Sequence, residues 1–467
     1  MKQTNKYIAF AIAGLVAFSS CKKELDLQPI DTFNEANAFV NMTDIKAGVN
    51  AAHSRYSAYF DDMYASALTS DEAKIGPGNA GQGALEFRFQ YAADATSGGS
   101  VQAAFGDYYA LIDQVNRVLP RIPLVSATAA EEPLRDIYKG QLLALRAIAH
   151  FDLLKNYSKN YNASDPLGIA IMTVSNPLAQ PTRNSMGDVM AQIEADLAAA
   201  KTLLPAVDAS TFTDLEMNRL NVAAYQARIA LYKGDYDQAV AYSTEVISSG
   251  IKPLASGPQF QAIWTDDTQD ELLFRVRLEN SSAVGSAFTT SGGDIYISPS
   301  DKLVASYDAT DIRLAAYVGN NSNGRYVNKF FESSRGGRIV DIKAIRTAEM
   351  YLIRAEANAK KSSPDLGAAT DDLNELRSNR IPGYVDETFP NATVLITAIL
   401  DERFKELAFE GQRFYDLKRN NLPVQRLASD ASAAWQTLDA GNYRFVYPIP
   451  QAEIFANPNM AQNEGYN

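Results

Sequence analysis

Apolar residues returning every three to four positions dominate this sequence, and that periodicity constrains the fold more than any other feature. It runs through windows 34–59, 104–119, 131–157, 185–203, 217–233, 236–249, 344–360, 366–378 and 393–420. Ser185 is placed to cap the fourth window, and Pro205 to end it. Strand signals are few: 169–174, 271–278 and 326–331. The expectation is a mostly α protein with a few short strands. With 46% hydrophobic and 21% charged residues in 467, the chain has ample material for a large core without disulfides.

Composition removes several chemistries. The net charge of −12 disfavours a nucleic-acid surface, which needs clustered positive charge. Two histidines, His53 and His150, rule out a multi-histidine zinc site and weaken any Ser-His-Asp reading. The lone cysteine, Cys21, excludes an intrachain disulfide and a cysteine-rich metal site. No cofactor and no metal are expected.

Cys21 has a different use. Lys2 and Lys6 precede twelve uncharged, mostly apolar residues, then Ser19-Ser20-Cys21. Twelve residues rise only about 18 Å as helix, too short for a hydrocarbon core of about 30 Å, so the segment reads as a signal peptide over 1–20. Small residues before the only cysteine resemble a lipobox, with Phe18 a departure from its commonest form. Acylation of Cys21 would anchor the chain, each buried CH₂ contributing about 0.8 kcal/mol. Residues 21–34 read as a tether.

Two long Gly/Ser/Asn-rich stretches interrupt the helices, 61–100 and 279–324, and loops of such length in a compact helical protein tend to be functional. The windows 217–249 and 344–379 each read as a helix, a turn and a second helix, with Gly234-Asp235 as the turn of the first. They resemble tetratricopeptide pairs.

The last quarter carries ordered motifs. Arg346-Thr347-Ala348-Glu349-Met350-Tyr351-Leu352-Ile353-Arg354-Ala355-Glu356-Ala357 is similar to the R-x-A-E-M-Y-L-I-R-A-E-A signature of the SusD/RagB family. The run from Asp401 to Arg419 resembles the family's E-R-x-x-E-L-x-F-E-G-x-R block, and Tyr447-Pro448-Ile449-Pro450 with Asn457-Pro458 to Tyr466 resembles its ending. The resemblance implies a SusD-like helical fold over 35–467 as one domain, with an N-terminal half of about 35–215 and a C-terminal half of about 260–467. It also implies a lipid-anchored, surface-exposed outer-membrane protein that binds a glycan and passes it to a TonB-dependent SusC-like transporter. Peptide binding, as in the RagB branch, stands as the alternative ligand class; a hydrolase and a purely structural helical-repeat adaptor are weaker readings.

The motifs themselves read as structural. Arg403, Glu406, Glu410 and Arg413 are spaced to share one helix face as an ion-pair ladder, and neighbouring arginines would keep both glutamates ionised, unlike a glycosidase pair. Residues 266–271 are acidic without calcium-loop spacing and read as a solvated turn; 76–83 has glycines but no P-loop pattern. Trp264, Trp435 and the Arg146, Phe151 and Tyr157 stripe read as packing. The family's ligand sites imply a site where stretch 61–100 meets stretch 279–324. The expected stacking rings are Phe89, Tyr91, Phe288 and Tyr296, and the polar partners are Asn79, Gln82, Arg88 and Asp294.

Overall fold

The computed structural model describes residues 38–94 and 96–466; Cys21, the signal segment and the tether lie outside them. The fold is mostly α with a few short strands, as expected. Its helices used below are α1 (Met42–Arg55), α2 (Tyr59–Thr69), α3 (Gly99–Val118), α4 (Glu132–Tyr157), α5 (Met186–Leu203), α6 (Arg219–Lys233), α7 (Tyr236–Ser248), α8 (Gly257–Trp264), α9 (Thr347–Lys360), α10 (Leu366–Ser378), α11 (Ala392–Glu406) and α12 (Arg413–Arg419). The strands are β1 (Ala73–Ile75), β2 (Leu272–Val276), β3 (Ile297–Pro299), β4 (Val318–Asn321), β5 (Gly324–Val327) and β6 (Ile342–Arg346).

Caps fix the helix starts. Ser185 accepts from the Asp188 N–H at the start of α5, and Asn218 from the N–H groups of Leu220 and Asn221 at the start of α6. Gly234 closes α6 at φ +80°, a left-handed position that glycine takes without strain, and Asp235 caps α7. Helices pack as successive pairs, α4 on α5, α6 on α7 and α9 on α10, with α9 also against α7. Alanines Ala348, Ala355, Ala359 and Ala369 let α9, α10 and α11 approach around Leu352, Leu373, Leu376 and Leu395. The larger core runs from Met42 to Met460, so early and late chain are packed together.

Four expectations need correction. Stretch 61–100 does not begin as a loop: α2 continues to Thr69, and Asp62 is buried, accepting from Tyr108 Oη (2.8 Å) and Asn156 Nδ2 (2.6 Å) beside Lys155. The window 393–420 is two helices, because Phe409 (φ +64°) and Gly411 (φ +76°) turn the chain between them. The segment 169–174 pairs with no strand; the Ile171 and Met172 N–H groups donate instead to Asn184 Oδ1 and His150 Nε2. In 326–331 only the end of β5 is extended, and a 3-10 turn over Asn328–Phe330 follows.

Residues 266–271 do turn, with Asp267 and Gln269 exposed, but both ends are tied into the protein. Asp266 receives Lys343 Nζ (2.6 Å) and Arg335, and Glu271 is fully buried. Elsewhere packing prevails as expected: Trp264 is buried, Arg146 holds Asp196 (2.8 Å), and the rings of Phe151 and Tyr232 meet edge to face. Among the described residues no helix is long and apolar enough to cross a membrane.

Candidate functional site

β1 and β3 bring the two long stretches together, running antiparallel with Ile75 opposite Ile297. Beyond β1 the chain hugs the other stretch: the Gly76 N–H donates to the Tyr296 carbonyl (2.9 Å) and the Gly78 N–H to that of Ile295 (2.9 Å). Asn79 ties the turn, its Nδ2 donating to the carbonyls of Gln82 (2.7 Å) and Tyr296 (3.0 Å) while its Oδ1 accepts from Gly81 (2.8 Å). The β4–β5 hairpin adds a third edge through Asn321 and Asn323, whose Nδ2 atoms each donate to the Gly293 carbonyl at 3.0 Å. Close by, Asp301 receives Lys74 (2.7 Å) and Arg325 (2.8 Å); the Lys74 bond above all holds its carboxyl down at about 2.

This junction depends on Gly76, where a Cβ would stand 2.3 Å from the Ile295 carbonyl oxygen. Gly76→Ala must push the two stretches apart, and we expect it to cost roughly 1–3 kcal/mol. Urea denaturation checks this; a change below about 0.5 kcal/mol would mean the backbone yields without penalty.

The junction brings Asn79, Gln82, Asp294 and Tyr296 into one neighbourhood. Tyr296 is half-buried and its hydroxyl has no hydrogen-bond partner among the described residues. Gln82 spends its Oε1 on the Ala80 N–H (2.7 Å), Asp294 is exposed beside Thr290, and Arg88 is exposed at the end of the short helix Ala84–Phe87. Asn79 is fully engaged in shaping the turn.

Three expected stacking rings are not on the surface. Tyr91 is 1% exposed, donates its hydroxyl to the Arg444 carbonyl, and packs against Tyr447 and Tyr466. Phe288 is 1% exposed among Tyr64, Phe330 and Phe409. Phe89 is buried under Arg426, whose guanidinium lies 4.5 Å from its ring centre and 4.0 Å from that of Phe87. These rings offer no face to a ligand; they pin the loops to the helices. Sequence reasoning missed Arg426, which also donates to the carbonyls of Leu68, Ser70 and Phe87, and it missed Tyr64, half-buried edge-on to Phe288. Phe60 and Tyr64, four apart, were the available signal for a helix here.

The motif residues form buried ion pairs. Arg346 reaches Glu271 (2.9 Å), Glu406 (3.0 Å) and Glu410 (2.7 Å); Arg380 and Arg313 also hold Glu406, and Lys329 holds Glu410. Burial pushes the Glu406 carboxyl up, but Arg380, Arg346 and Arg313 outweigh it and hold it at about 2. Glu410 is likewise held below its usual range, where Arg346 and Lys329 overcome burial. Neither can carry a proton near neutrality, so the pair cannot act as acid and base. Both histidines are spent structurally. Each Nδ1 meets the carbonyl four residues back, Val49 or Arg146, and each Nε2 accepts a backbone N–H, from Met217 or Met172. Burial lowers both, His150 to about 3.

A sequence model of the SusD family matches residues 301–466, and a second, described as starch-binding and associating with the outer membrane, matches 26–231. The chain belongs to the SusD/RagB family. A SusD-like protein of Formosa agariphila is 24% identical over 99% of this chain and 100% of its own. The starch-binding protein SusD of Bacteroides thetaiotaomicron is 37% identical over 27% of this chain and 22% of its own. A solved SusD superfamily protein of Bacteroides vulgatus superposes with a TM-score of 0.81 at 22% identity, covering 92% of this chain and all of that one.

Proposed function

We propose that this chain is a non-catalytic glycan-capture lipoprotein that delivers oligosaccharide to a TonB-dependent SusC-like transporter. The carrying observation is membership of a family described as starch-binding and associating with the outer membrane. The architecture proposed is a signal peptide over 1–20, a tether over 21–34 acylated at Cys21, and a single ligand-binding unit over 35–467 facing the exterior. The proposed site is the junction just described, with Tyr296 as its ring and Gln82, Arg88 and Asp294 as polar partners. A sugar's C–H face suits the tyrosine ring, and its hydroxyls suit the amide, guanidinium and carboxylate.

Calorimetry on the soluble body with maltoheptaose, laminarihexaose and a random peptide pool tests the ligand class. Tyr296→Ala should lose on the order of 1 kcal/mol or more of glycan binding with little change in melting temperature. Wild-type affinity in that variant would misplace the site, and binding of peptides alone would replace the ligand class. Native membranes test the rest. The full chain should partition into detergent and co-purify with a barrel-sized transporter, whereas Cys21→Ala should be released or stall as precursor. Unchanged partitioning of the variant would remove the anchor.

A further inference from the structure

A cleft of about 670 Å³ opens away from the junction, between the segment that follows α4, the end of α12 and the closing stretch of the chain. Its volume lies within the range of small-ligand sites, roughly 300–1,000 Å³. The charged groups that line it are spent on the protein. Lys418 Nζ donates to the carbonyls of Lys155 (2.9 Å) and Ser158 (2.6 Å), and Lys159 pairs with Glu464 (3.5 Å). Asp165 accepts from Asn160 Nδ2 (3.0 Å) and the Leu167 N–H (3.0 Å).

Neutral hydrogen-bonding groups in the cleft are left free. Asn421 holds a left-handed backbone (φ +51°), and its carboxamide has no partner among the described residues. That carboxamide lies across Gly441, where a Cβ would stand 3.8 Å from Asn421 Oδ1. Asn442 uses its Oδ1 to accept from the Arg444 N–H (3.0 Å), which leaves Nδ2 free. The Tyr443 hydroxyl is also without a partner, while its ring is wedged by Tyr466 and Arg444. Leu422 (38% exposed) and Leu167 (39% exposed) supply apolar wall. Free amides and a phenol beside leucines, where Lys418 and Asp165 already hold neutral partners and Lys159 pairs with Glu464, match an uncharged polyhydroxylated ring.

We propose that this cleft is a second binding site, for a short neutral oligosaccharide, with Asn421, Asn442 and Tyr443 as its hydrogen-bonding residues. The inference takes only its choice of probes from the glycan reading of the chain. The variant Asn421→Gly/Asn442→Asp tests it without disturbing the fold, because glycine tolerates the positive φ and aspartate keeps the cap on Arg444. Maltotriose and laminaritriose are soaked into crystals of the soluble body and titrated in solution, with Tyr296→Ala as the companion variant. Density for a trisaccharide in the cleft, with at least tenfold weaker binding in the double variant at unchanged melting temperature, is the expected result. If binding is lost in Tyr296→Ala and kept in the double variant, the cleft proposal falls and the junction stands. Loss in the double variant alone leaves the cleft and removes the junction. No binding of either trisaccharide, with an empty cleft, overturns this proposal whatever longer glycans do at the junction.

Discussion

Arg346→Ala should destabilise the fold by about 3–5 kcal/mol, the scale expected when one partner of a buried ion pair is removed. Arg346 is fully buried at the join of β6 and α9, and its three nitrogens serve Glu271, Glu406 and Glu410. Truncation leaves each of three buried carboxylates short of one cation. Glu406 retains Arg380 and Arg313, and Glu271 retains Arg380 (2.7 Å), but Glu410 keeps only Lys329 (2.7 Å). Burial already pulls that lysine down to about 8, against the attraction of Glu410. The Trp264 ring lies 4.1 Å from Lys329 Nζ and 5.1 Å from the Arg346 guanidinium, so tryptophan emission reports on this spot. Equilibrium urea unfolding followed by that emission measures the loss. A cost under about 1 kcal/mol, the value of a surface pair, would show that water reaches the network.

The same cluster marks where sequence reasoning reaches its limit. Arg403, Glu406, Glu410 and Arg413 are spaced for one helix face, and their structural character was legible from that. Their partners were not. The chain turns at Phe409 and Gly411, so Arg403 meets Asp416 (2.8 Å), Arg413 meets Asp71 (2.8 Å), and the glutamates meet arginines about 25 to 90 positions earlier. Local spacing describes a helix only while the helix continues. Helix pairs, the Ser185 cap and the left-handed Gly234 were readable because each is decided within a few residues. The rings were not, since a tyrosine in a polar loop is the same letter whether it faces sugar or Arg444. Tyr91 was settled by a carbonyl 353 positions away, and Phe288 by Tyr64 on a helix that two aspartates had disguised as loop. What survives of the expected site, Tyr296 on the junction of the two stretches, is the part carried by Gly76, Gly78 and Asn79, whose roles the backbone itself fixes.

Acid should unfold this protein cooperatively, with the urea midpoint falling steeply below about pH 4, where carboxylates ordinarily take up protons. Glu406 and Asp71 are both held at about 2: burial raises each, but Arg380, Arg346 and Arg313 outweigh it at Glu406, and Arg413 and Lys302 at Asp71. Arginine partners hold Glu402 and Glu356 lower still. Folded values depressed below the unfolded ones, about 4.3 for Glu and 3.9 for Asp, give stability that is complete above the unfolded value and lost as pH falls toward the folded one. Glu406 alone represents on the order of 3 kcal/mol over that window. Glu72 works in the opposite sense. Burial, then Asp71, lifts its carboxyl to about 8, and its Oε2 has no partner. The folded state therefore keeps a proton that the unfolded chain releases near 4.3, and this contribution is complete below that value and lost as pH rises through 8. Stability should peak near pH 5, between the two limbs. Glu72→Gln should make the alkaline limb shallower without abolishing it, since burial and then Asp107 lift the Asp61 carboxyl to about 8 as well. It should leave the acid limb as it is, because glutamine retains the acceptor for the Phe409 N–H (3.2 Å) and carries no titrating proton. Urea midpoints at half-unit intervals from pH 3 to 9 decide the matter: a flat profile between pH 6 and 3 would mean that the buried carboxylates keep water in the folded state.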